Sequence, residues 1–281
     1  MSSKYSIFFM LLSIFAFTLM NVIVKQLNSF STYQLVFFRA FGTLIFTVPL
    51  LLRLKIPVLG NQKKLLLIRG IIGSISVFCF FKSLNYLPIG TSVSLRYTSP
   101  IFAAIFAFYF LKERIKSLQW LLFLIAFIGV LLVKGLSNNL STIGLSLIIV
   151  SAIFQGLVFV IIRKIGDKEH PLVIVNYFMI LIFIFGGIMS INNWTTPTIW
   201  QGALLLGLGF LGYIGQYYMT KAFQNSSTNK IAPLKNLEVI FTVIFGVFWF
   251  DENYSIINYI GILLIVFAVT YNVILKRNSN S

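Results

Sequence analysis

The chain has 281 residues, 58% apolar and only 10% charged, against the roughly 25% charged share of a soluble domain. That balance excludes a soluble enzyme and points to an integral membrane protein. The net charge of +16 does not restore a nucleic-acid partner, because the basic residues are strung along loops rather than gathered on one face.

A hydrocarbon core about 30 Å thick needs about 20 residues of helix at about 1.5 Å each. In chain order, apolar blocks of that size fall at 5–24, 33–52, 67–87, 91–111, 118–134, 141–162, 172–190, 199–219, 230–250 and 256–275, which predicts ten transmembrane helices. Continuous runs do not match the shorter alternating strands of a β-barrel. The first block follows only Lys4 and lacks an Ala-x-Ala-like cleavage site, so a retained helix is expected rather than a signal peptide. The connections are short and rich in Gly, Pro, Asn and Ser, as in "LPIG", "GLSNN" and "NNWTTP", and no soluble domain fits between them.

With a cytoplasmic N-terminus, most of the 22 Lys and Arg fall on the inner side, Arg69 among them. Lys25, Lys82 and Lys134 fall outside, and Arg39, Arg96 and Lys235 lie within spans. Both termini are therefore predicted to be cytoplasmic, in a cell inner (plasma) membrane. Cys79 is the only cysteine, which precludes an internal disulfide and a cysteine metal cluster. His170, the only histidine, sits in "RKIGDKEH", where a solvated loop side chain is expected rather than a ligand or a pH switch.

The chain matches itself without gaps at an offset of 139 residues: "KSLNYLPIGTSVSLRYTSPIFAAIFAFYFLKE" (82–113) lies over "KAFQNSSTNKIAPLKNLEVIFTVIFGVFWFDE" (221–252). Lys82 falls on Lys221, Arg96 on Lys235, and Glu113 on Glu252. Aligned cations and glutamates are not readily supplied by chance between two apolar helices. Five spans per copy is an odd number, so the second copy is predicted to cross the membrane in the opposite sense, as two inverted five-helix repeats over 1–136 and 137–281.

These residues resemble the drug/metabolite transporter superfamily in its bacterial ten-helix branch, EamA. The resemblance is carried by "NVIVK" (21–25), "FFRAFGTLIF" (37–46), "LNYLPIGTSVSLRYTSPIFAAIFAFYFLKERI" (84–115) and "APLKNLEVIFTVIFGVFWFDEN" (232–253). It implies an all-α integral membrane fold and alternating access, with substrates that across the family include amino acids, cationic drugs, riboflavin and S-adenosylmethionine. The "APLKNLEVIF" segment looks like the Pro-x-x-x-x-Glu pattern of S-adenosylmethionine carriers, except that Asn236 stands where those often have tyrosine.

A charge at the centre of a membrane helix costs about 2.5–3.5 kcal/mol on insertion scales, which makes Arg39, Arg96, Lys235 and Glu238 candidates for substrate binding. Arg39 and Arg96 are expected in the outer half of the bilayer. On a straight ninth helix, Lys235 would lie ~7 Å and Glu238 ~3 Å to the cytoplasmic side of its centre, so that the four bracket a central cavity. Helical spacing aligns Arg96, Ser99, Ala103 and Ala107 on one face, and Lys235, Glu238, Thr242 and Gly246 on the equivalent face of the second copy; their small residues suit close packing. Lys235 and Glu238 at i and i+3 can neutralise each other. Three cations against one acid still leave charge for a visiting anion, and Glu238 can meet an ammonium or a proton. Asn21, Tyr97, Asn236 and Gln216 are weaker candidates for the cavity wall, with Tyr213 and Tyr217 beside them as cavity or interface aromatics. Lys82 and Lys221 are expected to snorkel, and Glu113 and Glu252 to cap the helices that follow them.

The expected function is a secondary transporter of a small, amphoteric, amino-acid-like metabolite, with S-adenosylmethionine-type uptake or exchange as the alternative. The sequence has no Walker motif and no His-Glu-x-x-His, so no cofactor or metal is expected, and protons are the candidate coupling ion. A membrane-embedded enzyme is disfavoured by one His, one Cys and six acids. A scaffold without transport predicts that Arg39, Arg96 and Glu238 tolerate neutral substitution.

Overall fold

A computed structural model describes residues 3–27, 29–83, 85–87, 92, 95–113, 115–134, 141–250 and 255–277. Among them the secondary structure is helical, without strands. The helices are α1 (Ser3–Gln26), α2 (Thr32–Arg53), α3 (Lys63–Ser83), α4 (Ser99–Leu111), α5 (Ser117–Lys134), α6 (Thr142–Ile165), α7 (Pro171–Ser190), α8 (Ile199–Asn225), the single turn α9 (Thr228–Ile231), α10 (Glu238–Phe250) and α11 (Ile256–Arg277). Five of the predicted spans coincide with helices long and apolar enough to cross a membrane: Tyr5–Val24, Thr32–Arg53, Lys63–Ser83, Thr142–Lys168 and Pro171–Asn193. Glu252 lies outside the described residues, as do the side chain of Thr242 and the surroundings of Gly246.

Two spans read as straight helices are broken. In the ninth, α9 gives way to a 3-10 stretch over Ala232–Leu237, and regular α-helix begins only at Glu238. Pro233 carries no N–H, and its ring crowds the carbonyl one turn back, which disfavours continuous α-helix through this stretch. In the fourth, Leu95 and Arg96 are helical, Tyr97 and Thr98 form a turn, and α4 starts at Ser99 with Pro100 in its first turn, where a missing N–H costs nothing. The bounds of α4 and α10 differ by the same 139 residues as the sequence match, at both ends. The faces predicted through Arg96 and Lys235 therefore do not run on straight helices. Both residues precede their helix.

The chain divides into two compact units, Met1–Ser74 with Ile165–Asn225, and Ile75–Lys164 with Ser226–Ser281. Each draws on both copies of the sequence repeat. In the first unit, α2 crosses α8 with backbone against backbone: a Cβ added to Gly209 would stand 2.4 Å from the Cα of Gly42. The approach lets the Thr43 hydroxyl donate to the Gly209 carbonyl at 2.9 Å. Ser13 on α1 likewise donates to the Gly215 carbonyl at 2.7 Å. Dispersion and such hydrogen bonds drive helix association where burial of apolar surface contributes little.

In the second unit, α5 and α11 are joined by the Gln119 amide donating to Asn272 Oδ1 at 2.9 Å and by Asn258 donating to the Leu132 carbonyl at 3.0 Å. The predicted small face of α4 is buried, with Ala103 and Ala107 fully enclosed. Its close neighbour is α6, where a Cβ on Gly156 would lie 2.8 Å from the Ala103 nitrogen. Glu113 caps a helix, but not the one that follows it: its carboxylate accepts from the N–H groups of Thr228 at 3.0 Å and Asn229 at 3.2 Å, at the start of α9. The chemistry expected of it is kept and the partner is different.

The segment predicted to be a solvated loop around His170 is largely tied down. Glu169 is buried, and its carboxylate accepts from the N–H groups of Asn61 and Gln62 ahead of α3. The Gln224 side chain donates to the Glu169 carbonyl at 2.7 Å. His170 is itself the N-cap of α7, its Nδ1 accepting from the Leu172 N–H at 3.3 Å.

Candidate functional site

The predicted site residues fall into two groups, one in each unit. The second unit holds Arg96, Tyr97, Lys235, Asn236 and Glu238. Lys235 and Glu238 form an ion pair across the junction of the 3-10 stretch and α10, with Glu238 in the first turn of α10. A carboxylate there is favoured by the dipole of the helix start, and with Lys235 that stabilises the charge of Glu238. The same carboxylate lies close enough for its charge to act on Arg96.

Arg96 is held from two other directions. Its Nη2 donates to Gln155 Oε1 on α6 at 3.2 Å, and its guanidinium carbon stands 4.2 Å from the centroid of the Phe80 ring on α3. Gln155 in turn accepts from Ser76 Oγ at 3.3 Å, and Ser76 and Ser151 bond reciprocally to one another's carbonyls at 2.9 and 2.7 Å. Sequence reasoning missed Gln155, Ser76 and Ser151. They are neutral residues inside long apolar runs, and the signal available was only that three polar side chains interrupt two helices. Tyr97 and Asn236 are buried, and Asn236 Oδ1 accepts no hydrogen bond among the described residues. Two cations and one acid give this group one net positive charge.

The first unit holds Asn21, Arg39 and Gln216. Arg39 is 7% exposed, on the buried face of α2 that continues through Thr43 and Thr47. Its guanidinium lies 5.7 Å from the Phe17 ring of α1, and its stem lies against Gly212 of α8, where a Cβ would be 3.2 Å from Arg39 Cγ. Gln216 is one turn further along α8 and buried, whereas Asn21, near the end of α1, is half-buried. Lys221, expected to snorkel, places its ammonium 4.6 Å from the Phe9 ring and 5.7 Å from that of Tyr217. Arg69 is the correction: read as an inner-loop cation, it is 1% exposed on α3.

The comparisons with known proteins decide the family. The model of the EamA-like transporter family matches residues 4–135 and again 142–274, which is nearly the whole chain. The chain belongs to the EamA-like transporter family. Among similar proteins, the pseudopaline exporter CntI of Pseudomonas aeruginosa is 29% identical over 94% of both chains. The S-adenosylmethionine uptake transporter of Rickettsia bellii is 24% identical over 96% of this chain and 94% of its own. Human solute carrier family 35 member G1 is 26% identical over 88% of this chain and 72% of its own. A crystal structure superposes over the full length of both chains with a TM-score of 0.87 at 14% identity, a likeness of fold alone. This EamA-family chain is thus a multi-pass membrane transporter of a small molecule.

Proposed function

We propose that the chain is a secondary transporter moving a small amphoteric metabolite, amino-acid-like in its charges, by alternating access across the cell inner membrane. In this reading ten transmembrane helices form two inverted repeats over 1–136 and 137–281, with both termini cytoplasmic. The observation that carries it is the group around Glu238: Arg96, Lys235 and Glu238 sit where two helices start late, with one positive charge in excess. Transporters bind solutes at the ends of such discontinuous helices, where the helix dipole and fixed charges meet the substrate. A substrate carboxylate would take up the excess charge on Arg96, and Gln155 holds the guanidinium in place to receive it. Glu238 is paired with Lys235 in the resting group, so it would meet an ammonium or a proton only as that pair opens.

An S-adenosylmethionine-type solute is the second reading, favoured by the Rickettsia relative and by the spacing of Pro233 and Glu238, which resembles the pattern of such carriers. The similar proteins include both an exporter and an uptake transporter, so the fold serves either direction of transport.

Counterflow in proteoliposomes tests the site. Glu238→Gln is expected to abolish exchange and to destabilise the protein, because the half-buried Lys235 loses the carboxylate it is paired with. Lys235→Met combined with Glu238→Gln removes both charges and should recover most of that stability while transport stays lost. Counterflow at the wild-type rate in the double variant would remove the pair from the site. Thermal shifts with amino acids, nucleosides, S-adenosylmethionine and riboflavin choose the solute class, and stabilisation by permanently cationic drugs alone overturns the amphoteric assignment.

A further inference from the structure

Arg69 is the largest fully buried side chain among the described residues. Its guanidinium carbon lies 4.3 Å from the centroid of the Phe178 ring on α7. One turn along α3, a Cβ on Gly73 would stand 2.8 Å from Arg69 Nη1 and 3.1 Å from the Phe178 ring. The missing side chain at Gly73 is therefore what leaves the guanidinium its slot. Within that slot, Nε and Nη1 are buried and donate to no acceptor among the described residues.

The rest of the unit deepens the imbalance. Arg39 is near enough for its like charge to act on Arg69. The unit's acids are Asp167, which is exposed, and Glu169, whose carboxylate is committed to the N–H groups of Asn61 and Gln62. On α7, two residues before Phe178, Asn176 is fully buried; its Oδ1 accepts from Thr47 Oγ1 at 2.7 Å, while its Nδ2 donates to no acceptor among the described residues. The ring of Phe178 offsets part of the buried charge, but a ring face accepts no in-plane N–H. Buried cationic donors left open are strongly unfavourable, and arginine does not escape by losing its proton.

We propose that Arg69 anchors an anion-binding site within the Met1–Ser74 and Ile165–Asn225 unit, taking one small oxyanion, a carboxylate or a phosphate. The planar guanidinium matches the paired oxygens of either group better than it matches a spherical halide. This site is distinct from the Arg96–Lys235–Glu238 group, which belongs to the other unit, and it does not depend on which solute is carried.

The test is a binding measurement on the full chain purified in detergent, with thermal unfolding followed by tryptophan fluorescence. Sodium acetate and sodium phosphate are titrated separately, with sodium chloride holding the ionic strength constant. The expected result is a saturable stabilisation by an oxyanion over chloride, and the two curves show whether the site prefers carboxylate or phosphate. Arg69→Met removes the donors. Gly73→Ala keeps the charge but pushes the guanidinium from its slot. Each is expected to weaken the apparent affinity at least about tenfold, the loss of one charge-assisted hydrogen bond. If Arg69→Met does not fold, Gly73→Ala decides alone. An equal response of the wild type to all three salts, or wild-type affinity in either folded variant, overturns the proposal.

Discussion

Glu238 and Ser99 hold the same place in the two copies, each opening a helix of 13 residues, and only one of them is charged. The charge is at home there because the helix start and Lys235 both favour it. The same reasoning explains why the charged residues were legible in the sequence: a cation or an acid within an apolar block has to be accounted for wherever the chain folds. Arg69 carried that signal too, set between Ile68 and Gly70 in a predicted span, and the inner-side reading passed over it. His170 was not legible, since its role depends on Pro171 starting a helix next to it. Burial and the Lys221 ammonium hold the imidazole below its ordinary range of about 6.5. The unfolded chain therefore takes up the proton first as pH falls. Stability from neutral His170 is fully present above about pH 6.5 and is lost as pH drops through the lower folded value. Protonation of Nδ1 also removes the acceptor that caps α7. The melting temperature in detergent should fall between pH 7 and pH 5, and His170→Asn, a pH-insensitive cap, should flatten that fall. An unchanged slope in the variant would assign the pH dependence to another group.

At the scale of elements, hydropathy located the helices and the breaks within them were the part it missed. A window average over 230–250 stays apolar through Pro233 and does not register the change of winding there. The close helix crossings were legible only as composition: α8 contains several glycines, and nothing in their spacing tells which one meets another helix. Contact separates them. A Cβ on Gly209 would collide with the backbone of Gly42, which no rotamer change relieves, whereas a Cβ on Gly202 of the same helix meets nothing within 4 Å. Gly209→Ala should cost about 1–3 kcal/mol or more, as overpacking does. Gly202→Ala should be neutral or stabilising by about 0.5–1 kcal/mol, because a helical glycine gives up more backbone entropy than alanine. Thermal unfolding of the two variants side by side checks this, and equal melting temperatures would mean that the α2–α8 crossing does not constrain the fold.

At the scale of the whole molecule, the 139-residue match reappears in the bounds of α4 and α10, so that much of the repeat is written in the backbone as well as in the residues. The compact units are a different partition, because packing follows which helices lie side by side and not which copy they come from. The sense in which each copy crosses the membrane rests on the distribution of Lys and Arg, and it has a direct consequence. If the copies are inverted, equivalent positions face opposite sides: Lys112, after the fourth span, faces the cytoplasm, and Asp251, 139 residues on, faces outward. Cys79 is the only cysteine, so Cys79→Ser gives a background in which Lys112→Cys and Asp251→Cys can be introduced one at a time. In intact cells a membrane-impermeant maleimide should label only the cysteine at 251, and permeabilisation should expose the one at 112. Labelling of both from the same side would show that the copies run parallel. A parallel arrangement would place the late helix starts at Ser99 and Glu238 at the same end of their spans, and alternating access through an inverted pair would lose its basis.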